Sequence, residues 1–238
     1  YKGVIITWRD FRVSSSDVYA QRVDSLGTIR WTSQGAPVSQ ATGSQKRPDA
    51  CTDDYHGAII AFTDSRGGTD DIYAQRLDSL GNQKWTTDGV SICTATGVQD
   101  YCATVSDGYH GAIIVWEDYR NGTTQDIYVQ RVDSLGNVKW TTNGVAICTA
   151  ANIQEEPYLI SDEYHGAIIV WTDFRVDGTN GDIYCQRVDS LGNTKWTANG
   201  LPVCTATGDQ HDACLVSDGR KGALVAWHDY RGADGEVY

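Results

Sequence analysis

The feature that most constrains this chain is a phrase of fifteen residues that recurs along it. It reads DIYAQRLDSLGNQKW over Asp71–Trp85, and close copies end at Trp31, Trp140 and Trp196, while a shortened copy ends at Tyr238. A glycine before an apolar run marks the same repeat at intervals of 54, 54, 55 and 56 residues, at Gly3, Gly57, Gly111, Gly166 and Gly222. Repeats of this length indicate stacked units, none of which can bury its apolar surface alone.

Each repeat predicts four strands, as the copy that begins at Glu156 shows. Glu156–Asp162 is a short apolar run, and Ala167–Trp171 is a continuous apolar run suited to burial on both faces. Asp182–Asp189 alternates apolar and polar residues, and a glycine turn then leads to a short segment ending in Lys195-Trp196. We expect these segments to be the innermost, second, third and outermost strands of one antiparallel sheet. No segment has a convincing helical period.

A tandem array of such units is typical of a β-propeller. We therefore predict one all-β domain over residues 1–238, with five blades of four antiparallel strands and repeats that start near residues 1, 55, 109, 164 and 220. The first and last blades are expected to be incomplete, because the chain starts at a second strand and ends in a third. Three explanations stay open: a longer repeat array, edges tolerated at the solvent side, or strands donated between copies in a fibre or closed oligomer.

The blade pattern P-x-I-x-x-D-G-x-G-A-I-I-V-W-x-D-x-R, followed by D-I-Y-A-Q-R, a glycine and a tryptophan, resembles the tandem propeller repeats of secreted bacterial proteins. The match is carried by Pro157, Asp162, Gly166, Trp171, Asp173, Arg175, Asp182, Tyr184, Arg187, Gly192 and Trp196. The resemblance covers essentially the whole chain and implies the fold, since lectin-like, enzymatic and scaffold proteins all carry such repeats. The turn D-S-L-G-N-x-K-W is also similar to the Asp-box of sialidase-type propellers, but it differs in spacing and lacks the leading Ser or Thr. We interpret it as a structural turn.

The charge of the chain limits its partners. Nineteen Lys and Arg residues against 31 Asp and Glu residues give a net charge of −12. Such a surface repels nucleic acid and anionic lipid, whereas neutral ligands, sugars and cations remain compatible with it. No apolar run approaches the roughly 20 residues that a membrane span needs. Because the sequence has neither an initiating Met nor a signal peptide, we expect a mature or excised piece of an exported protein.

The cysteine count is seven, so at least one thiol is free or bonded to another chain. Cys93 with Cys102, and Cys204 with Cys214, flank matching loops and are candidate disulfides, which would indicate an exported protein. Buried free thiols are the equally weighted alternative. Asn121 opens an Asn-Gly-Thr sequon and is a candidate glycosylation site.

Two patterns occur in every copy. W-x-D-x-R, for example Trp171, Asp173 and Arg175, would form either five equivalent sites or, as we favour, a packed tryptophan and a turn-capping carboxylate. Carboxylates at both ends of the following loop, such as Asp173 and Asp182, suit Ca²⁺. Because their spacing varies between copies, we favour turn capping here too. We therefore predict no cofactor and no metal site, with Ca²⁺ as the alternative.

Positions at which the copies disagree are better candidates for ligand chemistry. They are the second residue of W-x-D and the residues that enter each innermost strand, and we expect them at one end of the central channel. They supply Arg47, Glu117, Glu155, Glu156, His211, Asp212 and His228. Five-bladed glycosidases use acidic residues at such a place, so Glu117, Glu155, Glu156 and Asp212 are the candidate catalytic residues. Arg47, His211 and His228 are candidate ligand-binding residues, and an acidic solvated rim is the alternative that we favour.

The tryptophans that close each repeat could stack on sugar rings, or pack onto their own blade. They are Trp31, Trp85, Trp140 and Trp196. We predict an extracellular non-catalytic module that binds carbohydrate or assembles with other copies through equivalent blade sites, because near-identical blades suit multivalency. The alternative is a glycoside hydrolase with its acidic residues at the channel mouth. Expected partners are glycans or further copies of the chain, and neither nucleic acid nor membrane insertion is expected.

Overall fold

A computed structural model describes residues 3–13, 15–232 and 235–238. The repeat start predicted near residue 1 therefore lies outside the described residues. Within these ranges the regular secondary structure consists of eighteen β-strands and no helix. The strands form five antiparallel sheets. None of the described residues forms a helix long and apolar enough to cross a membrane.

The five sheets follow one another along the chain as simple meanders, and each is one blade. The first contains β1 (Gly3–Asp10), β2 (Asp17–Asp24) and β3 (Ala36–Ser39). The second contains β4 (Gln45–Thr52), β5 (Ala58–Asp64), β6 (Asp71–Leu77) and β7 (Val90–Cys93). The third contains β8 (Gln99–Ser106), β9 (Ala112–Asp118), β10 (Asp126–Val132) and β11 (Val145–Cys148). The fourth contains β12 (Gln154–Ser161), β13 (Ala167–Asp173), β14 (Asp182–Val188) and β15 (Leu201–Cys204). The fifth contains β16 (Gln210–Ser217), β17 (Ala223–Asp229) and β18 (Glu236–Val237).

This architecture confirms the predicted five-bladed all-β propeller with three-stranded first and last blades. Burial between blades explains why the second strand of each of the three middle repeats has a continuous apolar run. Strands β5, β9 and β13 are buried along their whole length, because each has a neighbouring blade on both faces. Four apolar clusters fill the spaces between successive blades, so the core is a stack of interfaces.

The outermost strand differs from the prediction. The segment ending in Lys195-Trp196 forms only an isolated bridge, Val188 with Thr194, and the outermost strand is β15 further along the chain. In the second repeat the equivalent tryptophan is Trp85. It turns towards the next blade, and its Nε1 donates to the Ser134 carbonyl at 3.0 Å. Its ring packs on Gly136, where a Cβ would lie 2.9 Å from Trp85 Cγ and where φ is 88°. Only glycine suits that turn.

A buried ion pair explains two other constant residues of each repeat. Asp107 Oδ1 accepts hydrogen bonds from the backbone N–H groups of Tyr109 and Gly111 at 2.7 and 2.8 Å. Its Oδ2 lies 2.8 Å from Arg131 Nε, and Arg131 Nη1 donates to the Ser190 carbonyl of the following blade at 3.2 Å. Equivalent pairs join Asp53 to Arg76 and Asp162 to Arg187. The pair thus fixes one turn and links two blades.

W-x-D-x-R has a structural role within its own blade. Asp118 accepts a hydrogen bond from Trp116 Nε1 at 2.8 Å and pairs with Arg120 Nη2 at 2.6 Å. Arg120 also donates to the Asn143 carbonyl at 2.7 Å and lies over the Tyr128 ring. Because these contacts use the polar atoms of the motif, they support the structural interpretation. Asp118 and Arg120 pair with each other within one blade.

The two candidate disulfides are not formed, and all seven cysteines are free. Cys93 lies on the outermost strand of the second blade, and Cys102 lies on the innermost strand of the third. Cys204 and Cys214 occupy the equivalent outer and inner strands of the fourth and fifth blades. The loop between such residues crosses from the rim of one blade to the axis of the next. Flanking that loop in sequence therefore does not bring the two thiols together.

Candidate axial site

The innermost strands of four blades converge on a cavity of about 590 Å³. Residues 47–49, 101–103, 156–158 and 212–214 line it, and these come from β4, β8, β12 and β16. We call this cavity the axial pocket. It combines equivalent positions from four repeats at which the residues differ, so its side chains do not follow the symmetry of its backbone.

A β-bulge at the same place in each innermost strand shapes the axial pocket. In β12 the pair Glu156 and Pro157 faces the single residue Trp171 of β13, so one residue is extra. The first residue of each bulge has a left-handed backbone, with φ of 51°, 50°, 56° and 54° at Arg47, Tyr101, Glu156 and Asp212. Residues other than glycine rarely adopt this conformation, and here the bulge imposes it at the same place in four strands. One repeated backbone feature thus presents four different side chains to the cavity.

On one side of the axial pocket an arginine stacks on a tyrosine. The Arg47 guanidinium carbon lies 3.5 Å from the centre of the Tyr101 ring, and Arg47 Nη1 lies 3.0 Å from Asp100 Oδ2. Tyr101 remains 50% exposed, and Tyr158 on the next innermost strand is 57% exposed. The axial pocket therefore has two accessible aromatic rings, one of them held by a cation.

On the other side lie two carboxylates from neighbouring blades. Glu156 Oε2 accepts a hydrogen bond from the Asp212 backbone N–H at 3.3 Å. The same oxygen lies 3.5 Å from the hydroxyl of Thr172, the second residue of W-x-D in the fourth blade. Both Glu156 and Asp212 line the cavity, so their oxygens can accept hydrogen bonds from a ligand there.

Glu117 and Glu155 lie behind this layer and are not among the lining residues. Glu117 is only 1% exposed, and its Oε1 accepts a hydrogen bond from the Glu156 backbone N–H at 2.9 Å. Burial, together with the nearby Glu155 and Asp100 carboxylates, raises the pKa of Glu117 to about 8. Burial also raises the pKa of Glu155, with Glu156 and Asp209 adding to the effect. Glu117 thus holds the backbone of Glu156 in place rather than facing the cavity.

Both predicted histidines lie beside Asp212. Asp212 Oδ2 is 3.0 Å from His211 Nδ1 and 3.3 Å from His228 Nδ1. His211 and His228 face each other across β16 and β17, because they are partners in that register. The structure thus brings together Arg47, Glu156, His211, Asp212 and His228, with Glu117 and Glu155 immediately behind.

The other predicted site residues lie away from the axial pocket. Trp31 and Trp85 are buried at 7% and 9% exposure, and Trp140 and Trp196 are half-buried, so these rings are packed and do not form exposed platforms for sugar rings. Their indole groups pin blades together, as Trp31 Nε1 and Trp140 Nε1 do on Ser79 and Ser190. Asn121 lies in the exposed loop after β9 and donates to Asp126.

The loop carboxylates considered for Ca²⁺ have partners of their own. Asp173 pairs with Arg175 at 2.5 Å, and Asp177 accepts hydrogen bonds from the backbone of Thr179 and Asn180, each at 2.8 Å. These backbone bonds lower the pKa of Asp177. The contacts support turn capping at these positions.

A second cavity of about 530 Å³ lies between β1 and β4. Residues of only two blades line it, and its only carboxylate is Asp54. It brings together fewer functional groups than the axial pocket, so it is the weaker candidate.

Sequence reasoning missed Tyr101 and Tyr158 as lining residues of the axial pocket. A period of two would place alternate residues of an innermost strand on one face, and the bulge shifts this alternation by one residue. The available signal was the prolines at 48 and 157, which occupy the same place in two copies. Proline is tolerated in strands mainly at edges and bulges.

Comparison with known proteins gives the fold. No protein family and no curated protein matches this sequence. The solved structure of an endo-arabinase from Bacteroides thetaiotaomicron is similar over 98% of this chain and 88% of its own, with 14% identity and a TM-score of 0.51. A glycosyl hydrolase from Bacteroides ovatus has 10% identity and a TM-score of 0.46, over 94% of this chain and 77% of its own. The catalytic domain of an α-L-arabinofuranosidase from Coprinopsis cinerea has 10% identity and a TM-score of 0.45, over 99% of this chain and 84% of its own. At such identities the likeness to the endo-arabinase shows a shared propeller fold and nothing beyond the fold.

Proposed function

We propose that the protein binds a neutral carbohydrate in the axial pocket. The observation that carries this proposal is the pairing of exposed Tyr101 and Tyr158 rings with the Glu156 and Asp212 carboxylates around one cavity. Aromatic faces stack on sugar rings, and carboxylates accept hydrogen bonds from sugar hydroxyls. The cavity volume of about 590 Å³ falls within the usual range for small-molecule sites.

The site differs from the equivalent blade sites that the sequence suggested. Those sites required exposed tryptophans, and Trp31 and Trp85 are buried between blades. The axial pocket instead uses positions at which the copies disagree, so we propose one site for each chain. The net charge of −12 favours a neutral over an anionic sugar. An extracellular location, as in the secreted proteins that carry similar repeats, is part of this proposal.

The test is binding of defined oligosaccharides by glycan array and calorimetry. Arabino-oligosaccharides come first, because the similar solved structure is named an endo-arabinase. We expect one site per chain, and we expect Tyr158→Ala and Tyr101→Ala each to weaken binding by about tenfold, or ~1.4 kcal/mol. Tyr109→Ala is the matched control, because Tyr109 is 54% exposed and lies outside the axial pocket. Failure of every oligosaccharide to bind, or equal weakening by Tyr109→Ala, would contradict the proposal.

Hydrolysis of the bound carbohydrate is the second candidate function. The observation that favours it is the presence of two accessible carboxylates, Glu156 and Asp212, on neighbouring blades. Two carboxyl groups flanking a glycosidic bond are the usual requirement for its hydrolysis. Release of reducing sugar that Glu156→Gln and Asp212→Asn both abolish would favour hydrolysis. Binding without any release of sugar would favour the non-catalytic module.

A further inference from the structure

His211, Asp212 and His228 place three potential metal ligands at one point of the fifth blade. Asp212 Oδ2 lies 3.0 Å from His211 Nδ1 and 3.3 Å from His228 Nδ1. One ligand atom from each residue lies within 4.8 Å of the other two. No other group of three His, Cys, Asp or Glu residues in the described ranges meets that condition.

The spacing fits a small divalent ion. In a tetrahedral zinc site with bonds of about 2.0–2.2 Å, neighbouring ligand atoms lie roughly 3.3–3.6 Å apart. The two distances from Asp212 Oδ2 are close to this value, so small side-chain rotations suffice to place an ion between the three atoms. Two imidazole nitrogens and one carboxylate oxygen are ligands that zinc and related transition ions accept, whereas Ca²⁺ prefers oxygen alone.

The surroundings hold two of these ligands in position. His211 Nε2 lies 3.9 Å from Asp209 Oδ2, so a second carboxylate is close to the ring nitrogen that the ion does not use, although the two atoms are not hydrogen-bonded. The Tyr230 ring stacks on the His211 ring at 5.2 Å. Asp212 is the first residue of the bulge and has a φ of 54°, and its backbone N–H is bonded to Glu156. Ring stacking on His211 and the constrained backbone of Asp212 therefore limit the movement of two of the three ligands.

The cluster is confined to one blade. At the positions of His211, Asp212 and His228, the second blade has Lys46, Arg47 and Thr63. The third blade has Asp100, Tyr101 and Glu117, and the fourth has Glu155, Glu156 and Thr172. The three remaining histidines lie in the turns before the second strands, at His56, His110 and His165. The pair of histidines around Asp212 is thus not required by the fold of the repeat.

We propose that His211, Asp212 and His228 form a binding site for a divalent transition-metal ion, with zinc as the principal candidate. Nδ1 of each histidine and Oδ2 of Asp212 are the protein ligands. Three protein ligands leave the fourth position of a tetrahedral ion open to water or to another ligand. Because Asp212 also lines the axial pocket, the ion lies at its edge. The inference is independent of carbohydrate binding, since the metal alone tests it.

The experiment is calorimetric titration of tag-free protein with Zn²⁺, and with Ca²⁺ in parallel. We expect one Zn²⁺ per chain and no Ca²⁺ binding at the same concentrations. His228→Thr and His211→Lys should each weaken Zn²⁺ binding by at least about tenfold. Both replacements occur naturally at these positions in the second blade, as Thr63 and Lys46, so the repeat accommodates them. His165→Lys is the matched control, because the last repeat has Lys221 at the position of His165.

Imidazole nitrogen NMR of the unaltered chain gives a second measurement that needs no variant. Addition of Zn²⁺ should shift the ring resonances of His211 and His228 and leave those of His56, His110 and His165 in place. The proposal is overturned if Zn²⁺ does not bind, if His228→Thr and His211→Lys bind it as tightly as the native chain, or if Ca²⁺ binds equally well. It is also overturned if the shifted resonances belong to the other histidines.

Discussion

Glu117 Oε1 accepts a hydrogen bond from the Glu156 backbone N–H at 2.9 Å, across the boundary between the third and fourth blades. This bond joins the buried carboxyl group of Glu117 to the backbone of Glu156, whose side chain lines the axial pocket. Because Glu117 is buried among other carboxylates, its ionised form is disfavoured in the folded protein. The position of Glu156 is therefore coupled to the protonation state of a group that a ligand does not reach.

The raised pKa of Glu117 predicts a loss of stability at alkaline pH. The folded protein holds a proton on Glu117 up to a pKa of about 8, whereas the unfolded chain releases it near 4.5. Its contribution to stability is full below pH 4.5 and falls as pH rises towards 8, by at most about 1.4 kcal/mol per pH unit. Glu117→Gln retains an acceptor oxygen and does not titrate. Urea unfolding should give similar stabilities at pH 5 and a more stable variant at pH 9, and parallel profiles would disprove the assignment.

The indole contacts between blades predict a measurable loss of stability in Trp85→Phe. This substitution removes the Nε1 donor to the Ser134 carbonyl, and the lost hydrogen bond should cost about 1 kcal/mol in addition to lost packing. Trp196→Phe is the control, since among the described residues Trp196 donates through its backbone N–H, to Gln186 Oε1 at 2.9 Å, and not through its indole. Urea unfolding of both variants separates the bond from the change in ring size. Equal losses would mean that the Ser134 contact adds nothing.

The buried pair of Asp107 and Arg131 predicts a larger effect. Asp107→Ala leaves the Arg131 guanidinium without its partner and removes the acceptor for two backbone N–H groups, so we expect a loss of about 3–5 kcal/mol. Lys139→Ala removes one partner of an exposed pair with Asp133 and should cost at most about 1 kcal/mol. Thermal and urea unfolding measure both variants. A small loss in Asp107→Ala would show that the turn and the blade interface do not need this pair.

The positions of the cysteines predict seven free thiols that react with a thiol reagent at different rates. Cys214 is exposed and should react first with a thiol reagent in the native protein, whereas Cys93, Cys102 and Cys148 are buried and should react slowly. Burial raises the pKa of Cys93 and of Cys148 to about 12, which further reduces their reactivity. Titration in denaturant without reductant should count all seven thiols. A count of five or three would restore one or both of the disulfides suggested by the sequence.

The repeat period was sufficient to predict the blades because every copy must make the same contacts. The Asp107–Arg131 pair and the Trp85–Ser134 bond recur along the chain, so the sequence carries them as constant letters. The outermost strand was misplaced because β15 has only four residues, too few for a clear alternation. The closing tryptophan looked like the end of a strand, although it belongs to the contact with the next blade.

Comparing the copies predicted which residues meet at the axis but not how each is presented. Arg47, Glu156 and Asp212 stood out because equivalent positions hold unlike residues. The exposure of Tyr158 depends on the bulge in β12, which changes the direction of the side chains that follow it. Such a shift comes from strand pairing in three dimensions, and local composition does not encode it. The approach of His211 to His228 likewise depends on the pairing of β16 with β17.

The shared bulge has a consequence for how such a protein can diversify. It fixes where a side chain enters the cavity through backbone geometry that tolerates arginine, tyrosine, glutamate or aspartate alike. The chemistry of the cavity can therefore change one residue per blade, or by exchange of the gene segment for a single blade, while the contacts that hold the blades together remain intact. In such an architecture the residues that set the chemistry of the cavity are different from the residues that stabilise the fold.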